Sequence, residues 1–236
     1  MRTLFIMLLL SAFVIGCSEQ YKAEQKLSSM GIEWSENHFI LAAQAGNAQA
    51  VTIFINAGMN PNLTDEKGLS PLLLFADSGD KKMVQYLLEK GDIMLTDNTK
   101  RNALHHALMN HHFDLLPILL KAGVDPLQTD NFGRTPLHYA AGATGIADKK
   151  SIALLVKAKC NINKRDKQQN TPLVYAALSG NLDAVKTVIE AGASLAIRNG
   201  HGETLHEMVR KKECKRCPSV ADWLEKEYKE KIQTLE

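Results

Sequence analysis

Apolar side chains in this chain fall into three different arrangements. Leu4 to Ile15 is apolar throughout except for Ser11, follows Arg2 and Thr3, and runs into Val14-Ile15-Gly16-Cys17. From about residue 32 to residue 212, short apolar clusters alternate with polar, turn-forming segments. At the end, Val220, Trp223, Leu224, Tyr228, Ile232 and Leu235 form a stripe at the spacing of one helical face. The middle pattern is clearest at Asp130 to Ala141, DNFGRTPLHYAA. It predicts a turn from Asp130 to Gly133, then a helix capped by Thr135, whose hydroxyl can accept from an unpaired N–H. Pro136 at the first helical position has no N–H to leave unpaired and already holds a helical φ. Ala140 and Ala141 would let a second helix approach closely.

This unit recurs. Thr171-Pro172-Leu173 with Ala176-Ala177 follows it, Ser70-Pro71-Leu72 and Asn102-Ala103-Leu104-His105 precede it, Leu205-His206 trails, and Asn37 to Ala43 is a degenerate first copy. The equivalent apolar residues are Phe39, Leu72, Leu104, Leu137, Leu173 and Leu205, at steps of 33, 32, 33, 36 and 32 residues. Copies also end alike, at Asn56-Ala57-Gly58, Glu89-Lys90-Gly91, Lys121-Ala122-Gly123 and Glu190-Ala191-Gly192, with Ala158-Lys159 as the variant. Gly133, Thr135, Pro136, Leu137, His138, Ala140 and Ala141 resemble the ankyrin repeat signature, and the step is that family's period of about 33 residues. The resemblance implies an all-α solenoid of stacked helix-turn-helix units with projecting β-turn loops and a C-terminal capping helix.

Departures from the pattern carry their own expectations. Repeat one, Ile32 to Leu63, lacks Thr-Pro, as a terminal unit with one face in solvent can. In repeat two, Thr64 to Thr96, Phe75 replaces an Ala, so the helices splay or bury a larger ring. Repeat three, Asp97 to Gln128, has Lys100 at the turn glycine and Pro117 inside the second helix, which should be shortened or bent. Three extra residues around Gly142 to Lys150 make repeat four, Thr129 to Asn163, longer and predict an exposed loop between its helices. Repeat five, Lys164 to Ala196, has Gln169 at the turn glycine. A partial sixth lacks the Pro, and the terminal stripe is expected to cap it rather than bind a partner or a membrane.

The N-terminal run is too short to span a bilayer, which takes roughly 20 residues, and fits a secretory signal over residues 1–16. Its end resembles a bacterial lipobox, which implies lipidation of Cys17. An ordinary cleaved signal with an incidental Cys is the competing reading; a Cys directly after a small residue favours the lipobox. Several acyl chains, at about 0.8 kcal/mol per buried CH₂, would tether the chain without spanning the membrane. Ser18, where an Asp would resemble an inner-membrane retention signal, points to the outer membrane facing the periplasm. Residues 17–31 then form a polar tether, 32–212 the repeats and 213–236 the cap.

Composition changes this picture little. Hydrophobic content of 45% excludes disorder throughout, and a net charge of +2 without a basic, aromatic-interleaved cluster argues against nucleic acid. No glycine-rich phosphate loop, Gly-x-Ser-x-Gly elbow or His-Glu-x-x-His is present, so no catalytic residue and no cofactor is assigned. His105, His106, His111 and His112 cluster without an i, i+4 pair and do not form a metal set. The resemblance assigns His105, His138 and His206 a structural hydrogen bond near each helix start. His201, His206, Cys214 and Cys217 are a conceivable zinc inventory, and Cys-x-x-Cys resembles a thioredoxin-type centre, so a redox or metal-linked accessory role in oxidative-stress defence is the alternative function. A Cys214–Cys217 disulfide is the simpler outcome in an oxidising periplasm. Cys160 is expected as a core thiol, with pairing to either of the others left open.

In the family, loop tips and first-helix inner faces bind protein partners. Carried over by position, that surface is Glu66, Lys67, Leu69 and Asp77; Asn98, Thr99, Arg101, Met109 and Asn110; Asn131, Phe132 and Arg134; and Lys167, Gln168, Asn170 and Leu178. Phe132 and Arg134 lead, because aromatic and Arg residues are enriched at binding hot spots. The expected function is a lipid-anchored periplasmic interaction module, in sharper form an immunity protein against a toxin such as a lipase.

Overall fold

The computed structural model describes residues 18–142, 149–211 and 214–233, with side chains placed through residue 228. Among the described residues the chain is built of helices and turns, with no strand and no helix long and apolar enough to cross a membrane. Residues 18–28 form α1. Five hairpins follow: α2 (Glu36–Gln44) with α3 (Ala48–Asn56), α4 (Pro71–Ser78) with α5 (Lys81–Lys90), α6 (Ala103–Met109) with α7 (Leu116–Ala122), α8 (Pro136–Gly142) with α9 (Lys149–Lys157), and α10 (Pro172–Leu178) with α11 (Leu182–Glu190). Short α12 (Leu205–Val209) and the cap α13 (Pro218–Gln233) complete the array.

Several inner helices have a local start signal, though Thr171 before α10 makes no side-chain cap bond. Ser70 and Asn102 accept from the N–H three residues on, and Gly79 ends α4 in the left-handed conformation, φ 79°. Inner helix packs on inner helix, α4 on α6, α6 on α8 and α8 on α10. The alanines make this possible: Ala76, Ala107, Ala141 and Ala177 are fully buried. One continuous core results, from Leu27 to Leu224. Phe75 resolves its two options by burial, at 1% exposure.

Pro117 acts as expected. The chain makes a 3₁₀ turn at Phe113–Leu115 before α7, which has seven residues against nine or ten in its counterparts, and Pro117 falls in its first turn, where the missing N–H does no harm. The expected inter-helix loop of repeat four falls largely on residues 143–148, outside the described residues. At the end, Val220 and Leu224 are buried against the array and α13 bends at Tyr228; the side chains of Ile232 and Leu235 lie outside the described residues.

The tether needs correction. Residues 18–28 are helical, and Ala23 and Leu27 lie in the core, Leu27 completely. Ala23, Leu27 and Met30 sit at i, i+4 and i+7, enough apolar surface to dock an otherwise polar segment on the first repeat.

The projecting loops share one construction. In each, the first residue's carbonyl accepts from the N–H three residues later, and that later residue has positive φ: Gly68, Gly133 and Gly202 at 77°, 79° and 78°. Lys100 and Gln169 are held at the same angle, 63° and 64°, where a side chain costs about 1–2 kcal/mol. Lys100→Gly and Gln169→Gly are therefore expected to raise stability by about 0.5–1 kcal/mol each, once the added chain entropy of glycine is subtracted. Gly68→Ala should lower it, since a Cβ there would stand 2.6 Å from Asn98 Oδ1 and 2.9 Å from the Asn98 backbone nitrogen. Urea midpoints followed by circular dichroism check both directions.

Candidate functional site

The inner face of the array is built from these loops and the first helices. Every loop opens on an acid or amide whose Oδ1 accepts two backbone N–H groups: Asp97 from Thr99 and Arg101, Asp130 from Phe132 and Arg134, Asp166 from Gln168 and Asn170. The second carboxylate oxygen is also used. Arg101 Nε and Arg134 Nε donate to Oδ2 of Asp97 and Asp130 at 2.7 and 2.8 Å. Tyr139 and Tyr175, nine residues after the acid, each donate an O–H at 2.6 Å to Asp130 and Asp166. In repeat three the corresponding residue is His106, whose Nε2 lies 3.3 Å from Asp97 Oδ2 while Nδ1 meets Asp77 Oδ1 at 3.1 Å. This imidazole, 3% exposed, joins repeat two to repeat three.

Successive loops are also tied tip to tip. The N–H groups of Asn98, Asn131, Lys167 and Gly200 donate to the carbonyls of Lys67, Thr99, Phe132 and Gln168 at 2.9, 2.8, 2.9 and 3.1 Å. Two side chains reinforce the ladder, Asn98 Nδ2 to the Glu66 carbonyl and Asn131 Nδ2 to the Asn98 carbonyl.

This bonding sorts the residues expected to meet a partner. Asn98, Asn131, Thr99, Arg101 and Asp77 already serve the fold, Thr99 through its hydroxyl to Asp97 and Asp77 through His106 and Asn110. Arg134 does too: its guanidinium lies 4.6 Å from the Phe132 ring centre and 4.8 Å from that of Tyr139, while pairing with Asp130. Leu69 packs on the core, and Asn170 Nδ2 lies 3.4 Å from Gln168 Oε1. Glu66, Lys67, Met109, Phe132, Lys167, Gln168 and Leu178 stand exposed on the same face. Phe132 is 57% exposed, its ring held by Arg134. The bonds that lock Arg134 were signalled by Asp four residues before Arg, in both Asp97/Arg101 and Asp130/Arg134.

The signature histidines behave differently from one another. Asn102 N–H donates to His105 Nδ1 at 3.2 Å and Thr135 N–H to His138 Nδ1 at 3.0 Å, the helix-start bond that was expected. His206 does not make it. Loss of the Pro moves His206 one position forward, so Glu207 takes the bond from Thr204 N–H at 2.6 Å and His206 faces Glu225.

Cys214 and Cys217 form a disulfide, which occupies both sulfurs and removes them from a zinc set with His201 and His206. Cys217 is fully buried, its sulfur 3.4 Å from the Ala177 carbonyl oxygen, so the bridged loop is seated on α10. Cys160 is a buried free thiol beside the Pro126 carbonyl, and burial pushes it up to about 11. Among the described residues no group of three or more His, Cys, Asp or Glu is gathered to hold a metal ion. Cys17 lies outside the described residues.

A solenoid of helical hairpins whose loops are bonded into one polar rim presents an extended groove, a shape for a macromolecule. A family model for ankyrin repeats (3 copies) matches residues 39–130 and 118–199, and the chain belongs to the ankyrin-repeat family. Ankyrin repeat protein FPV014 of fowlpox virus (strain NVSL) is 31% identical over 155 residues, 64% of this chain and 34% of its own. The palmitoyltransferase ZDHHC13 of Homo sapiens is 32% identical over 212 residues, covering 75% of this chain and 34% of its own. The transient receptor potential cation channel subfamily A member 1 of Homo sapiens is 35% identical over 164 residues, covering 65% and 14%. The chain thus spans about a third or less of these relatives. A transferase and a channel have no reaction in common; what this chain shares with them is a protein-interaction repeat.

The buried polar groups predict acid sensitivity. Burial, opposed by the Arg134 carbonyl and Asp130, lowers His105 to about 4, so its neutral form is the folded one. For Asp97 and Asp130 burial pushes upward, but bonds from Arg101 and Thr99, and from Tyr139 and Arg134, win and hold both below the usual carboxylate range. A lowered folded value means stability present at higher pH and lost on acidification. His105 should forfeit about 3 kcal/mol as pH falls from 6.5 toward 4, and the carboxylates more below about 4. Urea midpoints from pH 7 to 4 should fall, with a shallower slope in His105→Gln; an unchanged slope would assign the loss elsewhere.

Proposed function

We propose that this chain is a lipid-anchored interaction module of the bacterial periplasm that holds another protein in its inner groove, and that the partner is a toxin it neutralises, such as a lipase. The observation that carries the binding surface is the row Met109, Phe132 and Leu178. These are 39, 57 and 40% exposed on three consecutive repeats, Met109 at the end of α6, Phe132 in a loop whose polar groups are largely bonded to one another, and Leu178 at the end of α10. Apolar anchors held on a rigid, satisfied frame are what a hot spot requires.

Two features support the envelope location. The apolar N-terminal run ending at Gly16-Cys17 fits export and lipidation. A disulfide between Cys214 and Cys217 suits an oxidising compartment. With α1 docked through Leu27, lipid on Cys17 would hold the groove close to the membrane surface. A short, ordered anchor suits an inhibitor that must intercept an enzyme arriving at lipid.

Two measurements test this reading. Met109→Ala, Phe132→Ala and Leu178→Ala combined should weaken capture of an envelope partner at least tenfold with unchanged helicity; Arg134 is left alone, because replacing it would unpair Asp130. Full recovery of every partner would remove the groove. Cys17→Ser should abolish acyl labelling, move the chain from the membrane pellet to the soluble periplasmic fraction, and fail to protect cells from a co-encoded toxin; wild-type fractionation by that variant would remove the anchor.

A further inference from the structure

The groove ends differently from how it begins. After α12 the chain turns through the Cys214–Cys217 bridge into α13, which packs on α12 and α11, and a cleft of about 1090 Å³ lies between the loops at 166–170 and 199–203. Leu178 and Met208 line it in the middle. The bridge brings Lys215 and Arg216 to its edge on a fixed backbone. The Arg216 carbonyl lies so close to Gly180 that a Cβ there would collide with it, and Cys217 beside it is fully buried.

Among the described residues the charge at this end is mostly positive. Lys167 on one wall, His201 on the other and Lys215 and Arg216 at the edge are exposed, and among the described residues none of the four is in a salt bridge. The carboxylate in the lining, Glu203, is already paired with Lys211 and accepts from Asn199. The hollow at the other end of the same face, about 480 Å³, is lined instead by Glu36, Asp65 and Glu66 with one cation, Lys67. The array is therefore polarised along its groove, basic at repeats five and six and acidic at repeats one and two.

We infer that the cleft between repeats five and six receives an acidic, extended segment of the protein partner, with carboxylates set toward Lys167, Lys215 and Arg216 and an apolar side chain on Leu178 and Met208. This rests on the interaction reading above and adds the partner's chemistry and its direction in the groove. Opposed potentials at the two ends reject the reversed orientation and steer encounter. A nucleic acid strand fits less well, since among the described residues no Phe, Tyr or Trp lines the cleft to stack a base.

The test uses the full chain in neutral detergent and fluorescein-labelled hexaglutamate, with hexaglutamine and a twelve-nucleotide oligothymidine as comparators, read by fluorescence polarisation. Hexaglutamate is expected to bind at least tenfold more tightly than hexaglutamine, and to weaken at least tenfold between 50 and 300 mM salt. Binding should fall at least tenfold both in Lys215→Glu with Arg216→Glu and in Lys167→Glu, which lies on a separate repeat, and stay unchanged in Met94→Ala, exposed and outside the cleft. Equal binding of hexaglutamine, indifference to both charge reversals, or tighter binding of oligothymidine overturns the inference. If it fails while the Met109, Phe132 and Leu178 variant still loses its partner, the cleft assignment falls and the interaction module stands. If that variant also keeps its partner, both fall.

Discussion

No hairpin of this array can cover its own apolar faces, and the whole molecule follows from that shortage. An inner helix of seven to nine residues is far below the length at which a helix holds itself in water. It persists because alanines on one side admit the next helix and leucines on the other reach the outer row. Leu104, Leu137 and Ala107 are fully buried only because repeats stand on both sides of them. The ends must be closed by something else, and the chain spends both termini on this: α1 with Leu27 on the first repeat, α13 with Val220 and Leu224 on the last. The disulfide closes the loop that joins α12 to α13.

The same dependence extends to the loops, and through them to function. A loop that projects from a helical stack would ordinarily be mobile. Here a carboxylate at its base gathers two N–H groups and, in the central repeats, an Arg or a Tyr, and the tip leans on the tip before it. Order is thus transmitted from repeat to repeat along the surface as well as through the core. A partner meeting Phe132 or Lys167 finds side chains on a prepared frame and is spared much of the entropy of arranging them.

How much of this was legible in the sequence depended on whether the signal was local. Period, the Ser70 cap and the shortened α7 follow from single residues whose conformational demands are narrow: the loop glycines, Ser70 and Pro117. The docking of α1 was harder, because two buried side chains, Ala23 and Leu27, decide it within a stretch whose composition is polar. For the site, position in the repeat identified the right face but not the state of each group on it. Arg134 and Phe132 were equally prominent by type, and only the coordinates separate a guanidinium engaged by Asp130 from a ring left to solvent. The pairing of His106 with Asp77 and Asp97 spans two repeats, and the basic cleft is assembled from segments as distant as Lys167 and Arg216, so neither has a local sequence pattern.

Native-state hydrogen exchange at the amides of Asn98, Asn131, Lys167 and Gly200 measures this neighbour-dependent order directly. All four lie at exposed loop tips, and each donates to the loop before it. Protection comparable to that of the adjoining inner helices, strongest at Asn131 and Lys167 and fading toward Gly200, is the predicted result. Exchange at the rate of free peptide at all four, with the inner helices still protected, would show that the rim is not part of the stacked structure and that the groove is not prepared in advance.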